Sequence, residues 1–124
     1  MDNGTILLVD DIPLMRTMLK SVLEANEYKV VGEAKDVDEA VRMYKVCNPD
    51  VIVLDILIAS NEGFEVLKKI LACNIEAKVI VVTSVDQEDY KAMAKSLGAI
   101  DYIVEPFTDD MLINAVKKAL TVLK

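Results

Sequence analysis

The sequence predicts an α/β fold, a doubly wound parallel sheet of five strands with five helices. Three observations carry this. Short β-branched runs alternate with longer segments of helical apolar spacing, five times along the chain. Alternation of this kind means parallel strands joined by right-handed crossovers. The apolar runs also close on acids: Asp10 and Asp11 follow Ile6-Leu7-Leu8-Val9, and Asp55 follows Val51-Ile52-Val53-Leu54. An acid closing an apolar strand is poor core design unless it leaves the sheet at the carboxyl edge, where parallel sheets bind ligands.

The strands read as Ile6 to Val9, Tyr28 to Ala34, Val51 to Leu54, Val79 to Val82 and Tyr102 to Val104. The first helix starts at Pro13, a residue favoured in the first helical turn, with an apolar stripe of Leu14, Met18, Leu19, Val22 and Leu23. The second runs from about Val37 to Val46 and the third from about Glu62 to Leu71. The fourth runs from about Gln87 to Leu97, closed by Gly98. Thr108 is a good N-cap for the last, which carries Met111, Leu112, Ala115, Val116 and Leu120. Periodicity alone does not give the strand order. A flavodoxin-like order, 2-1-3-4-5, sets strands one and three side by side at the switch point and brings Asp10, Asp11 and Asp55 together.

Composition narrows the function. The chain has 124 residues, 53% of them hydrophobic, so one domain over residues 1–124 with a real core is expected. A net charge of -7 argues against a nucleic-acid surface, which needs a basic patch. No apolar run is long enough to span a membrane. The start, Met1-Asp2-Asn3-Gly4, lacks the basic and apolar regions of a signal peptide, so a cytoplasmic protein is expected. Cys47 and Cys73 read as free, mostly buried thiols. With no histidine in the chain, histidine-based nucleophiles, bases and metal ligands are excluded.

Converging carboxylates make an all-oxygen site suited to a hard cation such as Mg²⁺. Either Asp10 or Asp11 could instead cap the first helix, whereas the helix after Asp55 is better capped by Ser60 or Asn61. Crowded carboxylates without a counter-ion should have raised pKa values.

Read together, these segments resemble the response-regulator receiver domain, the phospho-acceptor module of two-component signalling, and the likeness covers nearly the whole chain. Val9-Asp10-Asp11 with Arg16 resembles the family's acidic pair. Val53-Leu54-Asp55 resembles the phosphorylated strand end, with Gly63 eight residues on. Val81-Val82-Thr83-Ser84 resembles the strand with the switch hydroxyl. Gly98 to Phe107 resembles the fifth-strand segment, with Tyr102 at its aromatic switch position.

The resemblance implies a phosphorelay protein. Asp55 would be the phospho-acceptor, and Mg²⁺ would be held by Asp10, Asp11, Asp55 and the backbone carbonyl of Leu57, with Asp10 acting largely through water. Thr83 and Tyr102 would form the switch. The chain would catalyse only its own phosphorylation and dephosphorylation. Its partners would be a histidine kinase or phosphotransfer protein and a downstream protein, not nucleic acid or membrane. It would be a monomer, or a weak dimer through the fourth helix, fifth strand and fifth helix. Nothing follows the fifth helix, so a single-domain, chemotaxis-type receiver or an excised fragment is expected. Leu57 and Val85, two residues after Asp55 and Thr83, stand where the family orients hydrolytic water, and their apolar character implies slow loss of the phosphoryl group.

Two departures stand out. Ile58-Ala59 replaces a Met-Pro pair. Glu105 stands immediately before Pro106, where the family carries a lysine that bridges the phosphoryl group and the acceptor carboxylate. Lys78 lies at the wrong end of the sheet, and Arg16 is expected to turn toward the surface of its helix, so no substitute cation is evident. Glu105 therefore supports a second reading, a divergent receiver that works as a protein-interaction module without phosphorylation. A third, a flavodoxin-like electron carrier, is disfavoured by Asp-Asp-Ile-Pro in place of a Ser/Thr-rich phosphate loop and by the lack of tryptophan. Leu57 excludes a haloacid-type phosphatase, which needs a second Asp there.

Overall fold

The computed structural model describes residues 3–122; Met1, Asp2, Leu123 and Lys124 lie outside the description. Five parallel strands stand in the order β2-β1-β3-β4-β5. In chain order the elements are β1 Thr5–Val9, α1 Pro13–Ala25, β2 Lys29–Ala34, α2 Val37–Cys47, β3 Val51–Leu54, α3 Ile58–Asn61, α4 Gly63–Cys73, β4 Val79–Thr83, α5 Glu88–Ser96, β5 Asp101–Val104 and α6 Asp109–Thr121. The five long helices are those the periodicity predicts; α3 is a single extra turn.

Strand alternation sorts the core onto two faces of the sheet. Ile6, Leu8, Val51, Val53, Ile80 and Val82 pack with α1 and α6 on one side. Leu7, Val9, Ile52, Leu54 and Val79 pack with α2 and α4 on the other. Both sides of β1, β3 and β4 are thus covered, which is why these strands are continuously apolar.

Several expectations need correction. The inward side of α1 is Met15, Leu19, Val22 and Leu23, whereas Leu14 is 78% exposed and Met18 is also exposed. The predicted stripe is rotated because apolar spacing leaves a neighbouring stripe open, and the sheet meets the one that contains Met15. Met111 at the start of α6 is exposed as well, beside the buried Leu112 and Ile113. Cys73 is exposed and Cys47 only half-buried; Cys73 is the last residue of α4, beyond that helix's buried face. Neither Asp10 nor Asp11 caps α1, whose N-cap residue is Ile12, without a side-chain cap. Glu62, not Asn61, is the N-cap residue of α4, and it too makes no side-chain cap; the side chain of Ser60 lies outside the description.

Gly63 has a steric reason to be glycine. A Cβ there would collide with the Ile56 Cα and lie 2.5 Å from the Ile56 carbonyl oxygen. The Gly63 N–H donates to that oxygen at 3.0 Å, so α4 starts pressed against the chain leaving Asp55. Relief requires backbone movement, which overpacking data put at about 3 kcal/mol or more. Gly63→Ala should lower the melting temperature by about 10 °C or more in a thermal scan. An unchanged melting temperature would mean that the loop after Asp55 shifts without cost.

Candidate functional site

Backbone pairing delivers the acids to one edge. Val9 and Leu54 are register partners, so the next residues, Asp10 and Asp55, leave the sheet side by side. The Asp10 N–H donates to the Ala34 carbonyl at 3.0 Å and the Asp55 N–H to the Val9 carbonyl at 2.9 Å, which continues the ladder through both acids. Asp10 is 3% and Asp55 7% exposed, while Asp11 is exposed. One carboxylate oxygen from each of the three lies within 4.8 Å of the others.

Local hydrogen bonds aim these groups. Asp10 Oδ1 accepts from the Ile12 N–H at 2.9 Å, and Asp55 Oδ1 from the Leu57 N–H at 3.0 Å. Asp11 Oδ2 accepts from the Ala59 N–H at 3.2 Å. Proline in place of Ala59 has no N–H to give. The Ile58-Ala59 departure therefore ties the loop after Asp55 to an acid of the pocket, with Ala59 at a left-handed φ of 48°. The Leu57 carbonyl accepts a long bond, 3.3 Å, from the Asn61 N–H.

The acids are poorly compensated. Asp10 is raised to about 6, above all by burial, then by the charges of Asp55, Asp11 and Glu105, against the Ile12 hydrogen bond. Asp55 is raised first by burial and also by Asp11, against the Leu57 hydrogen bond and the nearby Thr83 hydroxyl. Raised values were expected from mutual repulsion; burial is the larger cause.

Glu105 belongs to the same edge. Its N–H donates to the Thr83 carbonyl at 2.8 Å, extending the β4–β5 ladder by one step. It is half-buried, and its carboxyl is raised by burial and then by Asp55. Glu105 therefore lies within charge reach of the acidic pocket, although it stands outside the close group of three. Arg16 does not simply turn to the surface. Its Nη1 donates to the Asp10 carbonyl at 2.6 Å and its Nε to Glu33 at 3.0 Å, with the side chain 19% exposed. The guanidinium braces the β1 edge from outside, on a backbone oxygen and a β2 acid. No basic side chain is among the groups that shift Asp10, Asp55 or Glu105. Lys78 reaches the Leu120 carbonyl at 3.4 Å, as expected far from this edge.

The predicted switch residues flank the acids. Thr83 is fully buried at the end of β4, and its hydroxyl has no partner at hydrogen-bonding geometry, though it lies near enough to Asp55 to favour that carboxylate's charged form. Tyr102 is half-buried, and its hydroxyl donates to the Val85 carbonyl at 2.7 Å. Burial is the main reason it is pushed up to about 12. It packs beside Ile56, Val81 and Ala94, with Tyr90, Phe64 and Val85 around them. The Val85 carbonyl thus links Tyr102 to the loop that begins at Thr83.

The donor set fits a hard divalent cation with a phosphoryl group beside it. The acids offer only oxygen, they lack a cation, and a buried hydroxyl is left without a partner. Ala59, Arg16 and Val85 were noted from the sequence, but their contacts were not foreseen, because each acts through a backbone atom or on one, which residue type does not advertise.

The sequence profile described as the response regulator receiver domain matches residues 6–117. The chain is similar to the chemotaxis protein CheY of Listeria monocytogenes, 39% identical over 92% of this chain and 96% of that protein. It resembles the response regulator domain of Thermotoga maritima CheB, with a TM-score of 0.88 and 32% identity over 97% of this chain and 98% of that one. It also resembles a chain of the CheX–CheY–BeF₃–Mg²⁺ complex of Borrelia burgdorferi, with a TM-score of 0.89 and 25% identity over 95% and 90% of the two chains.

Proposed function

The chain belongs to the response regulator receiver domain family, and on that premise we propose that residues 1–124 form a phospho-acceptor receiver with Asp55 as the residue modified. The single observation that carries this is the buried Asp55 carboxylate, set between two further aspartates and the unpartnered Thr83 hydroxyl. Asp55 Oδ1 is held by the Leu57 N–H, which leaves Oδ2 to attack the phosphorus. The Oδ2–P bond forms as the donor's bond to phosphorus breaks, P–N in a phosphohistidine or P–O in acetyl phosphate, and the pair leaves with that nitrogen or oxygen, which gives an acyl phosphate. Such transfer depends mostly on positioning and charge neutralisation.

Asp10, Asp11, Asp55 and the Leu57 carbonyl are the groups to hold Mg²⁺, which would screen the carboxylates from the incoming group. Asp11 could hold the cation through Oδ1 while Oδ2 keeps the Ala59 N–H bond, so metal binding would be coupled to the loop after Asp55. Thr83 would donate to a phosphoryl oxygen. That draws in the loop whose Val85 carbonyl holds Tyr102, and the ring changes its setting. The resulting two-state element is biased by a local charge event. The aromatic end of that element borders the α5–β5–α6 face, through which a downstream protein would read it. A histidine kinase or phosphotransfer protein is the phosphoryl source this chemistry fits. No helix of the described residues is long and apolar enough to cross a membrane.

Incubation with acetyl phosphate and Mg²⁺ should add one phosphoryl mass to the intact protein, and Asp55→Asn should abolish the gain. A gain retained in Asp55→Asn would move the acceptor elsewhere. The observation that favours the second reading, signalling without phosphorylation, is Glu105 within charge reach of the pocket. That reading predicts no gain in wild type but a ready gain in Glu105→Lys.

A further inference from the structure

A phosphoryl group on Asp55 would bring new negative charge into a pocket that already holds Asp10, Asp11 and Glu105. The described basic groups do not offset it. Arg16 is spent on the Asp10 carbonyl and Glu33, and Lys91 on Asp86 at 2.6 Å and Glu88 at 3.4 Å. One cation among the three aspartates leaves Glu105 unanswered, because Glu105 is not part of that close group.

Two oxygen-bearing residues are neighbours on the Glu105 side. Backbone pairing at 2.8 Å places Glu105 next to Thr83. The Thr83 hydroxyl is fully buried, faces Asp55 and lacks a partner. A buried hydroxyl and a half-buried carboxylate beside a phosphoryl acceptor are hard-cation ligands. Two divalent cations about 4 Å apart commonly share a phosphoryl group in this way.

We propose that Glu105 and the Thr83 hydroxyl, together with oxygens of the group on Asp55, bind a second divalent cation when the phosphoryl group is in place. This inference rests on the phospho-acceptor reading. The charge arithmetic supports it: glutamate in place of lysine removes one positive and adds one negative charge, and one divalent cation restores both. The second site is incomplete until the phosphoryl oxygens arrive, so the cation reports modification and helps to hold it. Thr83, with its hydroxyl on that cation, would still be drawn inward, so the loop to Tyr102 responds as before.

The probe is Mn²⁺, with BeF₃⁻ as the phosphoryl mimic. Free Mn²⁺ is counted by electron paramagnetic resonance in wild type and Glu105→Lys, with and without BeF₃⁻. Wild type should hold one Mn²⁺ alone and about two with BeF₃⁻, while Glu105→Lys should hold one with BeF₃⁻. Thr83→Ala should lose the second ion as well. A wild type that binds BeF₃⁻ with a single Mn²⁺ overturns the second cation and leaves the acceptor reading standing. If neither wild type nor Glu105→Lys binds BeF₃⁻ with Mn²⁺, the acceptor reading falls and takes the second cation with it.

Discussion

Glu105→Lys should speed modification by acetyl phosphate about 100-fold at low Mg²⁺, because one cation-to-phosphoryl contact contributes a few kcal/mol to the transition state. The carboxyl of Glu105 is half-buried and within charge reach of Asp55. There it repels both the donor and the charge that spreads over the transferring group. A lysine at the same backbone position, still paired through its N–H to the Thr83 carbonyl, reverses the sign of that interaction. The gap should narrow as Mg²⁺ rises, since cations bound on the Glu105 side take over the neutralisation. The conformational response should also strengthen, seen as a larger NMR shift of the Tyr102 ring signals on phosphorylation. Equal rates for the two proteins at every Mg²⁺ concentration would mean that the charge at position 105 does not reach the reacting atoms.

The second large effect is on stability without metal. Asp10 titrates at about 6 in the folded protein against 3.8 for the ordinary side chain. The folded state therefore holds this proton more tightly than the unfolded chain does. The stability it confers is complete below pH 3.8 and is lost as pH rises through about 6. At pH 7 the charged carboxylate costs about 3 kcal/mol relative to a neutral one, from a shift of about two units at 1.36 kcal/mol each. Asp10→Asn keeps an oxygen for the Ile12 N–H and removes the charge. In chelator at pH 7 it should raise the melting temperature by about 10 °C, and near pH 4 the gain should vanish. Added Mg²⁺ should stabilise wild type and narrow the difference. A melting temperature that falls in Asp10→Asn at pH 7 would reveal a counter-charge on Asp10 that its surroundings do not show.

Much of the fold could be read from the chain because β1, β3 and β4 are short and almost wholly apolar, and β1 and β3 are closed by acids. Val51–Leu54 falls where the run of β-branched residues puts it, and Thr108 caps α6 by accepting from the Met111 N–H at 3.2 Å. The pairing of β1 with β3, which makes the site, follows from the switch-point order and not from periodicity. The short α3 escaped because four residues carry no helical period, and left-handed backbone at Ala59 has no residue signature, unlike that at Asn61. The face of α1 was displaced because apolar spacing alone does not say which of two adjacent stripes meets the sheet.

Within the site, Asp10, Asp11, Asp55, Thr83, Tyr102 and Glu105 are all brought to the same edge. Their identity was legible because all but Tyr102, which lies within β5, follow or end a strand. What residue type could not convey was direction. Arg16 is long enough to reach either solvent or the Asp10 carbonyl, and tertiary packing chose the latter. Glu105 could have been a solvated loop acid, but it is half-buried and its backbone extends the ladder beside Thr83.

The most direct test of the account is to locate the modified residue. The protein is treated with acetyl phosphate and Mg²⁺, the acyl phosphate is trapped by borohydride reduction, and the peptides are sequenced by mass spectrometry. The account predicts reduction at Asp55 alone, slow in wild type and fast in Glu105→Lys. Trapping at another residue, or at none in both proteins after hours of reaction, would contradict it.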